Sequence, residues 1–276
     1  MRVPDWAIYL AAFGLIGWAV FTSELTPGDT AHGGLRSPRR PIVVTPPRDV
    51  SPLPERSEGR VIVQLDREVR PGSGTAFAID QGLWLTARHV VDGCAQVAVV
   101  NTRNQGIRAR RVQVDRRTDL ALVSLPAGRT PPLALDLDRS LNRNQRAYMI
   151  GYPQGRPGEV VARLIGRETL VVRGRYRTEE PVLAWAEERR TRGLRGSLGG
   201  LSGGPAFDAS GAVIGVTVAE SPRRGRVYTA APESLRRFLN APPPGEGFGA
   251  VDPNSVVDQA RALRRSGRVA RVACLT

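Results

Sequence analysis

The sequence contains no lysine: all 40 basic residues are arginine, set against 26 acidic ones for a formal net charge of +14. Histidine is almost as scarce, with His32 and His89 alone among 276 residues. That scarcity excludes a His-rich metal site and leaves any imidazole chemistry almost no choice of residue. The two cysteines, Cys94 and Cys274, are an even but small number. They fit two thiols in a cytosolic protein or one bridge in an exported one. Between residues 60 and 230 there is also no apolar period of helical length. A βαβ architecture is therefore not expected.

A charge of this size invites a nucleic-acid reading, because arginine contacts phosphate well. The arginines, however, are spread along the whole chain. The densest group (Arg108, Arg110, Arg111, Arg116 and Arg117) falls between apolar positions that read as strands. No zinc-knuckle, helix-turn-helix or RNP-like signature is present. Nucleic acid is not an expected partner.

One long uncharged stretch exists, Trp6 to Ser23, with 18 mostly apolar residues. At ~1.5 Å per residue it reaches ~27 Å, the lower end for a membrane-spanning helix. Its exit, Ala19-Val20-Phe21-Thr22-Ser23-Glu24, is a poor signal-peptidase site. Residues 1–23 are therefore expected to be an uncleaved transmembrane anchor, with a cleaved signal segment as the alternative. Residues 24–59 hold seven prolines (27, 38, 41, 46, 47, 52 and 54) and Gly33-Gly34. Such a stretch buries too little apolar surface to fold alone and reads as a linker, with His32 solvent-exposed in it.

From Arg60 the texture changes to short runs rich in Val, Ile and Leu. They fall at Val61–Leu65, Thr75–Ile79, Leu83–Thr86, Val97–Val100, Val112–Val114 and Leu120–Leu125, then at Ala147–Gly151, Val160–Ile165, Leu170–Val172, Val182–Trp185, Ala212–Val218 and Val227–Ala230. Short spacing with Gly and Asp punctuation argues for antiparallel all-β sandwiches or barrels, and the two sets of six runs suggest two six-stranded β-barrels, about residues 60–138 and 139–240. A short helix is predicted at Pro232–Leu239, with Pro at its start and Leu235, Phe238 and Leu239 on one face. Residues 241–276 form a C-terminal extension with one amphipathic helix. Ser255 and Asp258 give it a capping-box-like start, Val256, Val257, Ala260 and Leu263 a stripe, and Gly267 a stop. Arg261, Arg264 and Arg265 lie on its other side, so it reads as a helix packed on the domain's flank.

Three fragments carry chemistry. Leu85-Thr86-Ala87-Arg88-His89-Val90-Val91 offers a base, Thr118-Asp119-Leu120-Ala121-Leu122-Val123 a carboxylate, and Gly199-Gly200-Leu201-Ser202-Gly203-Gly204-Pro205 a nucleophile. Each alone is common; together they supply the parts of acyl transfer. A serine hydroxyl is a weak nucleophile until a base takes its proton, which is the role expected of His89 toward Ser202. The imidazole must present the correct nitrogen, which requires a carboxylate such as Asp119 on the other one. A developing oxyanion needs backbone N–H donors, for which Gly200 and Ser202 are placed.

These residues resemble the trypsin/chymotrypsin-like serine endopeptidases, most closely the bacterial HtrA-type branch. Gly72-Ser73-Gly74-Thr75-Ala76-Phe77, Ile150-Gly151-Tyr152-Pro153-Gln154-Gly155, Gly211-Ala212-Val213-Ile214-Gly215-Val216 and Thr229-Ala230-Ala231-Pro232 extend the resemblance over about residues 60–240. The resemblance implies a double β-barrel with the triad in the cleft between barrels, no metal or other cofactor, and polypeptide substrates held as an added strand. Two residues depart from the pattern. Arg88 sets a cation beside the base, where the family has Ala or Gly, and Leu201 replaces the Asp or Asn before the nucleophile, so a trypsin-style activation switch cannot operate. Too few residues follow position 240 for the PDZ domain that many HtrA-type proteases carry.

In the family the residue six before the nucleophile lies at the base of the primary pocket, here Gly196. Val216, Thr217 and Val218 are expected along the pocket wall, which points to small or medium apolar side chains rather than Arg or Lys. If the domain lies outside the cytoplasm, a Cys94–Cys274 bridge would pin the tail across the barrel carrying His89. The expected protein is a single-pass inner-membrane serine endopeptidase with its catalytic domain in the periplasm or exterior. The alternative is a catalytically silent binding module of the same fold, to which Arg88 and Leu201 would point.

Overall fold

The computed structural model describes residues 51–276 apart from 127, 129 and 242. The expected anchor, most of the expected linker and His32 lie outside the described residues. Among those described, no helix is long and apolar enough to cross a membrane.

The apolar runs form strands that sort into two sheets. One holds β2 (Gly72–Asp80), β3 (Leu83–Ala87), β4 (Gln96–Val100), β5 (Gly106–Arg108), β6 (Arg111–Val114), β7 (Leu120–Ser124) and β14 (Val269–Leu275). Their order is β5-β4-β14-β2-β3-β7-β6. The other holds β1 (Arg60–Gln64), β8 (Arg146–Gly151), β9 (Gly158–Arg173), β10 (Thr178–Arg190), β11 (Pro205–Phe207), β12 (Val213–Ser221) and β13 (Arg226–Ala230). Here the order is β1-β9-β10-β13-β12-β11-β8, and a further β8–β9 pairing closes six of the strands into a ring. The expected pair of six-stranded barrels is thus one closed six-stranded ring and one open seven-stranded sheet.

One strand lies in a different sheet from the sequence expectation, and another was not expected at all. β1 was assigned to the first barrel but lies parallel on β9, pairing Arg60–Gln64 with Thr169–Arg173 on the outside of the closed ring. β9 is long enough to supply that edge. Its 16 residues join two predicted runs, because β10 pairs with it continuously through Gly166, Arg167 and Glu168. The vacancy in the first sheet is filled by β14, from the extension read as carrying only a helix. β14 lies between β4 and β2, with its backbone paired on both edges.

Among the described residues there are also three α-helices: α1 (Arg88–Val91), α2 (Pro232–Leu239) and α3 (Val256–Arg265). α2 has the predicted bounds. α3 buries Val256, Ala260 and Leu263, as its stripe requires, but Val257 is exposed and Ser255 makes no side-chain cap. Arg264 is the larger correction. Predicted on the outer face, it is buried and donates to Glu159 Oε1 (2.7 Å) and to the carbonyls of Gly158 (2.7 Å) and Gly151 (3.0 Å). Those carbonyls lie at the open ends of β8 and β9. A guanidinium can satisfy a carboxylate and two carbonyls at once, which makes burial of the charge tolerable.

Candidate active site

The pairing of β3 with β7 brings the first two fragments together. Ala87 is the register partner of Leu120. His89, two residues beyond the end of β3, and Asp119, one residue before β7, are therefore neighbours across 30 positions of chain. The Arg88 N–H donates to the Asp119 carbonyl at 3.0 Å and fixes this junction.

The buried Asp119 carboxylate takes three hydrogen bonds. Its Oδ1 accepts from the His89 backbone N–H (2.8 Å) and from the Tyr176 hydroxyl (2.6 Å), and its Oδ2 accepts from His89 Nδ1 (2.6 Å). With Nδ1 committed as donor, the neutral imidazole would carry its lone pair on Nε2. The Asp119 N–H in turn donates to Glu180 Oε1 at 2.5 Å. Glu180 is fully buried, and burial first, then the Asp119 charge, push its carboxyl well above the ordinary 4.5. Tyr176 is pushed up by burial and by Asp119, so its hydroxyl stays a donor.

Arg88 is folded away from the role its sequence position threatened. Its guanidinium lies over the Tyr176 ring, 3.7 Å from the centroid, while Nε donates to Asp92 Oδ2 (2.8 Å) and Nη1 to the Asp115 carbonyl (3.0 Å).

The serine fragment belongs to the loop between β10 and β11 and is fastened by backbone contacts to β2 of the other sheet and to β12 of its own. Thr75 N donates to the Ser202 carbonyl at 2.8 Å, and Gly203 N to the Thr217 carbonyl at 2.7 Å. Gly203 has φ +85°, and a Cβ there would lie 2.1 Å from the Thr75 carbonyl oxygen. Only glycine allows this approach between the sheets. Ahead of the serine, the Gly199 carbonyl accepts from Gln154 N (2.5 Å) and the Gly200 carbonyl from Thr75 Oγ1 (2.7 Å). A trans peptide points its C=O and N–H in opposite directions. Holding the Gly199 carbonyl on Gln154 therefore turns the Gly200 N–H to the opposite side. Gln154, itself at φ +55°, also spans the loop with Nε2 donating to the Arg195 and Ser197 carbonyls, both at 2.7 Å.

His89, Ser202, Gly199 and Gly200 line one cavity of about 230 Å³, together with Arg70, Gly72, Ser73, Val90, Arg175 and Cys274. The residues proposed from sequence for a specificity pocket do not join them. Gly196 is exposed, its carbonyl held by Arg190 Nη1 at 2.8 Å. Val216 and Val218 are packed in the core, with Thr217 buried between them. The side chain that does reach the 197–199 loop from β12 is Glu220, which accepts from the Ser197 hydroxyl and from Leu198 N (2.7 Å). Cys94 and Cys274 are joined in a disulfide with Cα atoms 5.4 Å apart, closing a separation of 180 positions.

Tyr176, Glu180, Gln154 and Thr75 escaped the sequence reading. Tyr176 sits in an Arg173-Gly174-Arg175-Tyr176-Arg177 turn that reads as solvated loop, and Glu180 in a strand where a carboxylate reads as outward-facing. Thr75 and Gln154 lay in motifs that were noted for resemblance only, with no role attached.

Two curled, mainly antiparallel sheets whose loops meet over an Asp–His pair and a glycine-flanked serine define the chymotrypsin-type class of peptidase domains. Residues 72–216 match the family model of the trypsin-like peptidase domain, more than half of the chain, which belongs to that family. The HhoA protein of Synechocystis sp. is 32% identical over 207 residues, covering 71% of this chain and 50% of HhoA. A Halomonas elongata protein named as a DegP-like periplasmic serine endoprotease is 27% identical over 224 residues, covering 81% of this chain and 40% of its own. The chain thus spans half or less of these relatives' length. The active form of the Rv3671c protease from M. tuberculosis superposes with a TM-score of 0.52 at 22% identity, over 65% of this chain and 75% of that one, a likeness of fold.

Proposed function

We propose that the protein is a serine endopeptidase of the HtrA type that hydrolyses polypeptides through an acyl-enzyme. Ser202 is the nucleophile, His89 the general base and then acid, and Asp119 the orienting carboxylate. The amides of Gly200 and Ser202 are the oxyanion donors. The observation that carries this reading is the 2.6 Å bond from His89 Nδ1 to Asp119, with His89 and Ser202 lining the same cavity. The Ser202 Oγ–carbonyl carbon bond forms as the hydroxyl proton passes to His89 Nε2. The C–N bond then breaks as that proton passes to the leaving amine, and water, deprotonated by the same nitrogen, releases the acid and restores Ser202.

The catalytic domain is assigned to the periplasm or exterior, tethered by residues 1–23. A disulfide between Cys94 and Cys274, the uncharged stretch at Trp6–Ser23 and the periplasmic name of the Halomonas relative support this placement. Arg88, which with Leu201 points from sequence to a silent binding module, is occupied with Tyr176 and Asp92.

A fluorophosphonate probe is expected to label the folded protein and not its Ser202→Ala variant. Peptide turnover is expected to fall on the order of 10³-fold or more in that variant. No labelling of folded wild type from about pH 6 to about pH 9 would overturn the reading in favour of the silent module.

A further inference from the structure

The turn between β9 and β10 reaches out of the closed ring to the Asp–His pair of the other sheet. Two of its neighbourhood's side chains meet Asp119 from that direction. Tyr176 gives its hydroxyl to Oδ1 at 2.6 Å, and Glu180, four residues on, takes the Asp119 N–H at 2.5 Å. The Asp119 carboxylate thus has a donor beyond those His89 supplies, and it comes from the half of the domain that also carries Ser202.

Tyr176 is itself held in place. Its ring lies under the Arg88 guanidinium, which is anchored by Asp92 Oδ2 and by the Asp115 carbonyl, and the neighbouring Arg175 donates Nη1 to the Asp92 carbonyl at 2.7 Å. The chain Asp92–Arg88–Tyr176–Asp119–His89 is continuous, and every link is a contact of 3.7 Å or less. A cation over the ring face also draws on the ring's electron density and strengthens the phenol as a donor.

We propose that Tyr176, braced by Arg88, is a positioning residue for the Asp119–His89 pair, and that it sets the orientation and hydrogen-bonding strength of the Asp119 carboxylate. The proposal rests on the triad reading. The hydroxyl occupies one lone pair of Oδ1 and leaves Oδ2 to face Nδ1, so the carboxylate cannot rotate about its Cβ–Cγ bond without losing a charge-assisted bond. It also withdraws part of the carboxylate's charge, which keeps Asp119 from holding the imidazolium too tightly. The charged and titratable groups around Asp119 are His89, Arg88 and Asp92 from α1 and its end, Asp115 ahead of β7, Arg175 and Tyr176 from the turn, and Glu180 from β10. Of these, Tyr176 and His89 are the two that donate to the carboxylate.

The test compares wild type with Tyr176→Phe, which keeps the ring under Arg88, and with Arg88→Gln, which keeps the hydroxyl. Removal of the hydroxyl is expected to lower kcat on the order of 10-fold with KM unchanged. It is also expected to move the acid limb of kcat/KM up by about half to one pH unit, because Asp119 then favours the protonated imidazole. Arg88→Gln is expected to shift both in the same direction by about two- to threefold in rate. A low-field proton NMR resonance from His89 Nδ1–H, in a chain with one other imidazole, is expected to change position in Tyr176→Phe. An unchanged acid limb and an unchanged Nδ1–H resonance in a folded Tyr176→Phe would overturn the proposal. A changed resonance in a protein that no fluorophosphonate labels would uphold the Tyr176 contact and overturn the hydrolytic reading instead.

Discussion

The two halves of the site are held by different means. The Asp119–His89 half is built mainly from side chains: a carboxylate bonded to an imidazole and a phenol, with a buried acid on the Asp119 backbone N–H. The Ser202 half is built from backbone. Its glycine carbonyls rest on Gln154 N and Thr75 Oγ1, and Ser202 itself on Thr75 N. Side-chain networks can be retuned one group at a time, because a removed partner leaves the chain path intact. Backbone close approach cannot, since a single Cβ displaces the loop.

The comparison breaks most sharply at Gly203. Alanine there would set a Cβ 2.1 Å from the Thr75 carbonyl oxygen and 2.2 Å from Thr86 Oγ1, at a φ of +85°. Fluorophosphonate labelling is expected to fall on the order of 100-fold or more, while the His89 Nδ1–H resonance persists. Loss of both together would show that the halves are not separable.

A second prediction concerns what both halves share. Cys274→Ser opens a separation of 180 positions and frees β14 from the segment following α1. A loss of about 2–5 kcal/mol in unfolding free energy is expected from denaturant titration. A shift below about 1 kcal/mol would mean that β14 is held by its pairing to β2 and β4 alone.

The smallest effect sharpens the side-chain half. Glu180 is raised in the folded state, so it binds a proton that the unfolded chain releases above about 4.5. Its contribution is fully present below that pH and lost as pH rises through the folded value. Glu180→Gln keeps an acceptor for the Asp119 N–H and removes the titration. It is expected to flatten the decline of stability above about pH 4.5, with a gain of up to about 1 kcal/mol at neutral pH. Identical pH–stability curves for the two proteins would contradict the upward shift of Glu180.

How much of this could be read in advance depended on distance along the chain. The order of His89, Asp119 and Ser202 and the glycines around the serine were legible because each motif is local. So was α2, whose proline and apolar face lie within eight residues. The exchange of β1 for β14 between sheets was not, since an alternating strand carries no mark of its partner. The run Val269-Ala270-Arg271-Val272-Ala273-Cys274-Leu275, with an arginine in its middle, also lacked the apolar texture of a central strand. Arg264 misled for a related reason: arginine reads as surface until a carboxylate and two carbonyls gather around it. Tyr176 was hidden because its partner lies 57 positions away, in the other sheet.

The place of β14 has a consequence for how the protein is made. Strands β2 and β4 are synthesised early, yet the strand that joins them carries residues 269–275. The sheet bearing His89 therefore has a gap between β4 and β2 until residues 269–275 have been synthesised. Pairing over so long a separation is slow to form. The closed ring, whose strands follow one another through Ala230, has no such wait. A nascent chain would thus complete the ring that carries the serine loop before β14 joins β2 to β4 in the sheet that carries His89.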